Sequence, residues 1–173
     1  MKNFIKITSV FFVTLLIASF TRTMQSDKTI VGVAAGNENF TTLVAAVKAA
    51  NLVETLNSAG PFTVFAPTND AFAKLPEGTI PTLLKPENKG LLTSILTYHV
   101  VAGEFKAADV VKAIQANSGS FAIKTVQGGT ITATLDGGNV ILTDTKGNKS
   151  KVIIADVAAS NGVIHAIDTV VMP

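Results

Sequence analysis

The chain of 173 residues has no cysteine and no tryptophan, a single tyrosine and two histidines. Without cysteine there is no disulfide, no thiolate metal site, no thiol nucleophile and no lipid-modified cysteine anchor. His99 and His165 lie far apart in the sequence, which argues against a His-based transition-metal site. Charged residues make up only 15% of the chain and hydrophobic ones 47%. There is no internal repeat and no low-complexity linker. Such a length suits one domain of roughly 100–200 residues and allows a sizeable core without crosslinks.

The apolar run from Ile7 to Phe20 follows Lys2 and Lys6 and precedes Arg22. A basic start and a short apolar stretch describe a secretory signal peptide over residues 1–26. The run is shorter than the ~20 residues that cross a bilayer comfortably. It offers no Ala-x-Ala cleavage site; Ser19, Thr21 and Ser26 are the alternative ends. The whole chain carries 14 basic and 12 acidic residues. Lys2, Lys6 and Arg22 leave with the leader, so the remainder has 11 basic against 12 acidic groups, a net of −1. The basic balance belongs to the leader. Neither a nucleic-acid surface nor a polybasic membrane patch is supported. Residues 27–173 are expected to form one domain that is secreted, periplasmic or held at the cell surface. Membrane attachment is expected only through an uncleaved leader.

Along that domain, Thr29–Val33 reads as a short strand. Residues 39–58 turn helical through Phe40, Leu43, Val44 and Val47, with Asn51 capping a second short helix. Gly60-Pro61 ends it. Phe62–Phe65 is a buried strand, Thr68 an N-cap, and Asp70 lies in the first turn of a small helix with Phe72 and Leu75 inward. Glu87–Thr97 is a helix with Leu91, Leu92, Ile95 and Leu96 as its core side. Tyr98–Val101 reads as a strand and 105–116 as an amphipathic helix. The period then changes to two. Residues 121–126, 130–135, 140–143, 152–157 and 163–171 read as strands joined by Gly- and Asn-containing turns. Helices first and a strand meander afterwards predict an α+β fold, with short helices packed on a β-sandwich or wedge of about seven strands.

Three blocks stand out. The first is Phe62, Thr63, Val64, Phe65, Ala66, Pro67, Thr68, Asn69, Asp70, Ala71 and Phe72. The second is Tyr98-His99. The third is Asn161, Gly162, Val163, Ile164, His165, Ala166, Ile167 and Asp168. In this order and spacing they resemble the signature blocks of the fasciclin domain, and the resemblance covers roughly Lys28 to Pro173. It implies a compact β-sandwich or wedge decorated by helices, found in secreted and surface-attached proteins. It also implies a part in adhesion and matrix contact, with no general catalytic activity and no cofactor. The first and third blocks read as core-forming, because Val163–Ile167 is apolar enough to be buried on both faces.

In the resembling family the tyrosine–histidine block is linked to integrin-type adhesion, which makes Tyr98 and His99 the candidate binding pair. The alternative is that both are buried and hydrogen-bonded within the core. His165 and Asp168, three apart on a strand, point to opposite faces and form no dyad. No Gly-x-Ser-x-Gly elbow supports a serine hydrolase, and Ser118-Gly-Ser120 reads as a helix-to-strand turn. Asp136, Asn139, Asp144 and Asn148 do not have EF-hand spacing and read as turn residues. The chain thus reads as a non-catalytic exported binding or adhesion module. Its expected partners are a surface protein, a matrix polysaccharide or another copy of itself. The alternatives are a carrier of a small hydrophobic ligand such as a lipid or pigment, and an enzyme with an unfamiliar site.

Overall fold

The computed structural model of the protein describes residues 28–173; the leader read over residues 1–26 lies outside them. The fold is organised by two apolar strands, β1 (Phe62–Pro67) and β7 (Gly162–Ile167). They run parallel, with Phe62 opposite Gly162 and Pro67 opposite Ile167. Alternate side chains of this pair serve two cores. Val64, Ala66, Ile164 and Ala166 face the helices, whereas Phe65 and Ile167 face the remaining strands. The expectation that the last strand is buried on both faces is met.

β2 (Val100–Ala102) pairs antiparallel with β1 on the outer side. On the other side follow β6 (Lys149–Ala159), β5 (Asn139–Thr143), β4 (Thr130–Asp136) and β3 (Ser120–Lys124), all antiparallel. The result is one mixed seven-stranded sheet in the order β2-β1-β7-β6-β5-β4-β3. β6 pairs with β5 at its start and with β7 through two register shifts further on. Such bulges bend and twist a strand, and the sheet folds over, nearly like a barrel. Ile123, Ile131, Ala133 and Leu142 of the far half thereby meet Phe65 and Ile167, with Val110 and Ile114 of α7 (Ala107–Ala116) closing that second core. The first core lies under α1 (Ile30–Ala35), α2 (Thr41–Ala49), α3 (Val53–Asn57), α4 (Asn69–Ala73), α5 (Thr79–Leu83) and α6 (Lys89–Tyr98).

Four local expectations are corrected. Thr29–Val33 is not a strand. Thr29 Oγ1 caps α1 by accepting from Gly32 N at 3.3 Å, and the buried residues Ile30 and Ala34 are four apart, a helical spacing. Asn51 does not cap α3; it adopts φ 57°, a left-handed conformation that ends α2. Leu91 is 55% exposed, because the inward stripe of α6 is Leu92, Ile95 and Leu96 and leaves Leu91 on the flank. Tyr98 and His99 are the end of α6 rather than the start of a strand. His99 N donates to Ile95 O and Leu96 O, and the strand begins only at Val100. The Thr68 cap and Asp70 in the first turn of α4 are as expected, with Ala71 N donating to Thr68 Oγ1 at 3.3 Å.

The β1–β7 junction is tight. A side chain at Gly162 would strike the carbonyl oxygen of Phe62, and one at Gly60 the carbonyl oxygen of Asn161. Both obstacles are backbone and cannot turn aside. Gly162→Ala is therefore expected to cost about 2–4 kcal/mol, lowering the melting temperature by roughly 5–15 °C. Gly90, in the first turn of α6, has open space where a Cβ would go. Gly90→Ala is expected to leave stability unchanged or raise it by about 0.5–1 kcal/mol. Thermal melts of the two variants side by side test the contrast.

Candidate functional site

Tyr98 and His99 sit where α6 meets the sheet, and both are buried, at 0% and 2% exposure. The Tyr98 hydroxyl donates to Thr130 O at 2.7 Å, tying the helix to β4. Gly129 lies against the ring; a Cβ there would come within 2.7 Å of Tyr98 Cε2. Burial, with the nearby Asp144 charge adding to it, raises the phenol above its ordinary value. The His99 ring faces Ile95 O at 2.8 Å through Nδ1, and Val171 N donates to Nε2 at 3.3 Å. That pattern requires a neutral ring with its proton on Nδ1. Burial pushes its pKa down to about 4. Both ring nitrogens are thus occupied in joining α6 to the C-terminal segment. The loop from Val126 to Gly129 lies against Tyr98 and reaches the surface there. Val126 N donates to Val100 O at 2.8 Å and Gln127 N to Thr97 O at 3.3 Å.

His165 is buried on β7 beside Phe65, with ring centroids 5.7 Å apart. Asp156 N donates to His165 Nδ1 at 3.2 Å, and Nε2 lies 2.7 Å from Phe105 O. The Asp156 carboxylate accepts from Ala107 N at 2.8 Å and so caps α7. Asp168 lies just beyond β7. It accepts from Lys151 N at 2.8 Å and pairs with Lys74 at 3.2 Å. Burial alone would raise its pKa, but these bonds and that of Thr169 hold it below the ordinary carboxylate range. The structure therefore gives His165 and Asp168 different partners and does not bring them together as a dyad. Burial would likewise raise the pKa of Asp144. Bonds from the Asn148 side chain, Met172 N, Asn148 N and Lys146 N outweigh that and lower it. Its role is to close a turn and hold the C-terminal segment. Among the described residues no three His, Asp or Glu side chains are grouped to hold a metal ion.

One residue does more than the sequence indicates. Asn161 reads as a turn residue, yet its Oδ1 accepts from Ile30 N at 2.9 Å. Its Nδ2 donates to Leu56 O at 2.7 Å and Ser58 O at 3.0 Å, and its carbonyl accepts from Phe62 N at 3.1 Å. It joins α1, α3, β1 and β7. Only the Asn-Gly dipeptide hints at this, and turn chemistry explains that dipeptide equally well. An apolar cavity of about 30 Å³ lies between α1, α2 and the sheet, lined by Ile30, Leu43, Val47, Leu96, His99 and Ile164 among others. It has room for about a water molecule, against the roughly 300–1,000 Å³ of a pocket for a drug-sized ligand.

The fasciclin domain profile matches residues 38–173. The chain belongs to the fasciclin family. Protein sll1483 of Synechocystis sp. is 58% identical over 149 residues, covering 86% of this chain and 76% of the relative. Immunogenic protein MPB70 of Mycobacterium bovis is 43% identical over 155 residues, covering 87% and 71%. In three dimensions the chain resembles the fasciclin domain pair of the insect cell adhesion molecule fasciclin I. The TM-score is 0.75 at 24% identity, covering 84% of this chain and 51% of that one. The expected α+β fold of about seven strands with short helices is thereby found in this fasciclin domain. The family is known in adhesion and extracellular proteins and is typically non-catalytic.

The buried histidine generates a pH prediction. An unperturbed histidine titrates near 6.5, and folded His99 near 4. Between these values the unfolded chain binds the extra proton. The stability that His99 contributes is complete above pH 6.5 and is lost as pH falls toward 4, by about 3 kcal/mol in all. Asp144 and Asp168, both lowered, add a further loss only below the ordinary carboxylate value of 3.8. Denaturant titrations at pH 4 to 7 are expected to show this slope in the fasciclin domain and to lose it in His99→Gln. An unchanged slope in the variant refutes the assignment. Tyr98→Phe, which leaves Thr130 O without its donor, is expected to cost about 1–2 kcal/mol at any pH in that range.

Proposed function

We propose that this fasciclin domain is an exported, non-catalytic binding module of the adhesion type. Its partner is a surface protein, a matrix polysaccharide or another copy of the chain. The observation that carries the reading is the commitment of Tyr98, His99, His165 and Asp168 to bonds within the fold. These residues have spent their polar atoms on architecture and do not converge on a position where a substrate could react. The family and the leader-like N-terminus support an extracellular or cell-surface setting. The carrier reading is less favoured, because an apolar ligand needs α1 and α2 to move apart from the sheet before it can enter.

The contact we assign to the Tyr98–His99 block is the loop docked over it, with the exposed Val126 at its tip. The protein made from its full coding sequence is expected to bind saturably to the producing cells, their extracellular polysaccharide or immobilised copies of itself. It is expected to show no sustained turnover of ester, peptide or glycoside substrates. Val126→Asp, whose side chain is already in solvent, is expected to weaken that binding without changing the melting temperature. Binding unaffected by Val126→Asp moves the contact elsewhere, and sustained turnover overturns the reading.

A further inference from the structure

Along β4 and β5, Ile131, Ala133 and Leu142 point into the second core, so the residues between them point the other way. The ladders set these outward residues in two rows across four strands. Ser120 lies opposite Thr134, Thr134 opposite Ile141 and Ile141 opposite Lys151. Ala122 lies opposite Thr132, Thr132 opposite Thr143 and Thr143 opposite Lys149. Each row ends on a lysine of β6. Both lysines are exposed, and neither makes an ion pair among the described residues. A groove of about 450 Å³ opens on this face, lined by Thr134, Asp136, Ile141, Lys149, Lys151 and Asp168 among others. Its size falls within the roughly 300–1,000 Å³ of small-ligand sites.

The chemistry of the groove selects its occupant. Lys149 and Lys151, two apart on one strand, stand about 7 Å apart on the same face, close enough for their flexible stems to meet one anionic group. Asp168 is already paired with Lys74, whereas Asp136 makes no ion pair among the described residues and is free to accept hydrogen bonds. We propose that this groove binds an acidic polysaccharide built of uronate sugars. This rests on the reading of the chain as a binding module and names the class of its partner. The two lysines hold a sugar carboxylate, Asp136 and Thr134 take sugar hydroxyls, and Ile141 offers an apolar surface to the C–H face of the ring. No aromatic ring lines the groove, so a neutral glycan finds only Ile141 to lie on and nothing to pair with the lysines. A polyphosphate or nucleic acid carries phosphate charge all along its chain and meets two carboxylates in the same groove. A uronate sugar has one charge per ring and hydroxyls to donate, which suits lysines and carboxylates placed side by side.

The test is calorimetric titration of the full-length product with three probes: a short alginate oligosaccharide, which is a chain of uronates, a cello-oligosaccharide of the same length, and linear polyphosphate. Saturable binding of the alginate oligosaccharide is expected, weakened by added salt, with no binding of the neutral glycan and weaker binding of polyphosphate. Lys149→Gln and Lys151→Gln are each expected to raise the alginate dissociation constant about tenfold. Both side chains are exposed, so melting temperatures should match the parent. Lys112→Gln removes the same charge from α7, whose Val110 and Ile114 pack on the inward side of these strands, and is expected to change nothing. Asp136→Asn separates recognition from mere attraction of charge: loss of a hydroxyl acceptor weakens alginate binding, whereas simple attraction would make it tighter. Absence of alginate binding, polyphosphate bound as well as alginate, lysine variants equal to the parent, or tighter binding by Asp136→Asn each overturns the proposal. Binding to the producing cells or to immobilised copies of the chain, with none to alginate, removes this proposal and leaves the module reading standing. Absence of binding to all of them removes both.

Discussion

The parallel pairing of β1 with β7 joins segments roughly one hundred residues apart, and most of the molecule is arranged around it. Each strand is buried on both faces, so one pair of strands supports both cores. The approach is close enough that Gly60 and Gly162 each abut a carbonyl oxygen of the opposite segment. Asn161 then uses both ends of its side chain to bring α1 and the end of α3 to the same junction. A contact between such distant segments carries a large loop-closure cost. Apolar burial on both sides, together with the satisfied backbone groups at the junction, offsets that cost.

The two histidines follow from the same arrangement. A buried imidazole has two nitrogens, and the neutral ring offers one donor and one acceptor. His99 uses them to connect a helix end with the C-terminal segment. His165 connects β7 with Asp156 and Phe105. Residues that look chemically capable in the sequence are connectors in the fold. The neutrality of His99 is compatible with its burial, and protonation would leave a charge facing the Val171 N–H. This links the pH sensitivity of the fold to His99, a residue that invites a functional reading. It also moves the search for a binding surface outward, to what these connectors hold in place.

The sheet itself is uneven. Its centre is closed on both faces and both edges, while β6 changes partner part-way and is left open over a few residues. The register shifts fall between Val152 and Val157, the stretch in which Ile153 and Ile154 are exposed.

Local pattern by itself determined a good deal. The alternation in 130–135 and the continuous apolar run Val163–Ile167 encode strands, because side chains on a pleated backbone repeat every two residues. Thr68 and Asp70 mark a helix start because exposed N–H groups there need an acceptor. The three motif blocks, in order, identify the fasciclin fold. Tertiary structure decided what those patterns leave open. Ile30 and Ala34 belong to a helix because Asn161, far along the chain, takes the first N–H of that turn. Leu91 is exposed because, among the described residues, no other element covers that flank of α6. Tyr98 and His99 became internal ties because Thr130 and Val171 arrive to meet them. For Ile30, Tyr98 and His99 the deciding partner lies dozens of residues away, where neither periodicity nor capping chemistry can see it.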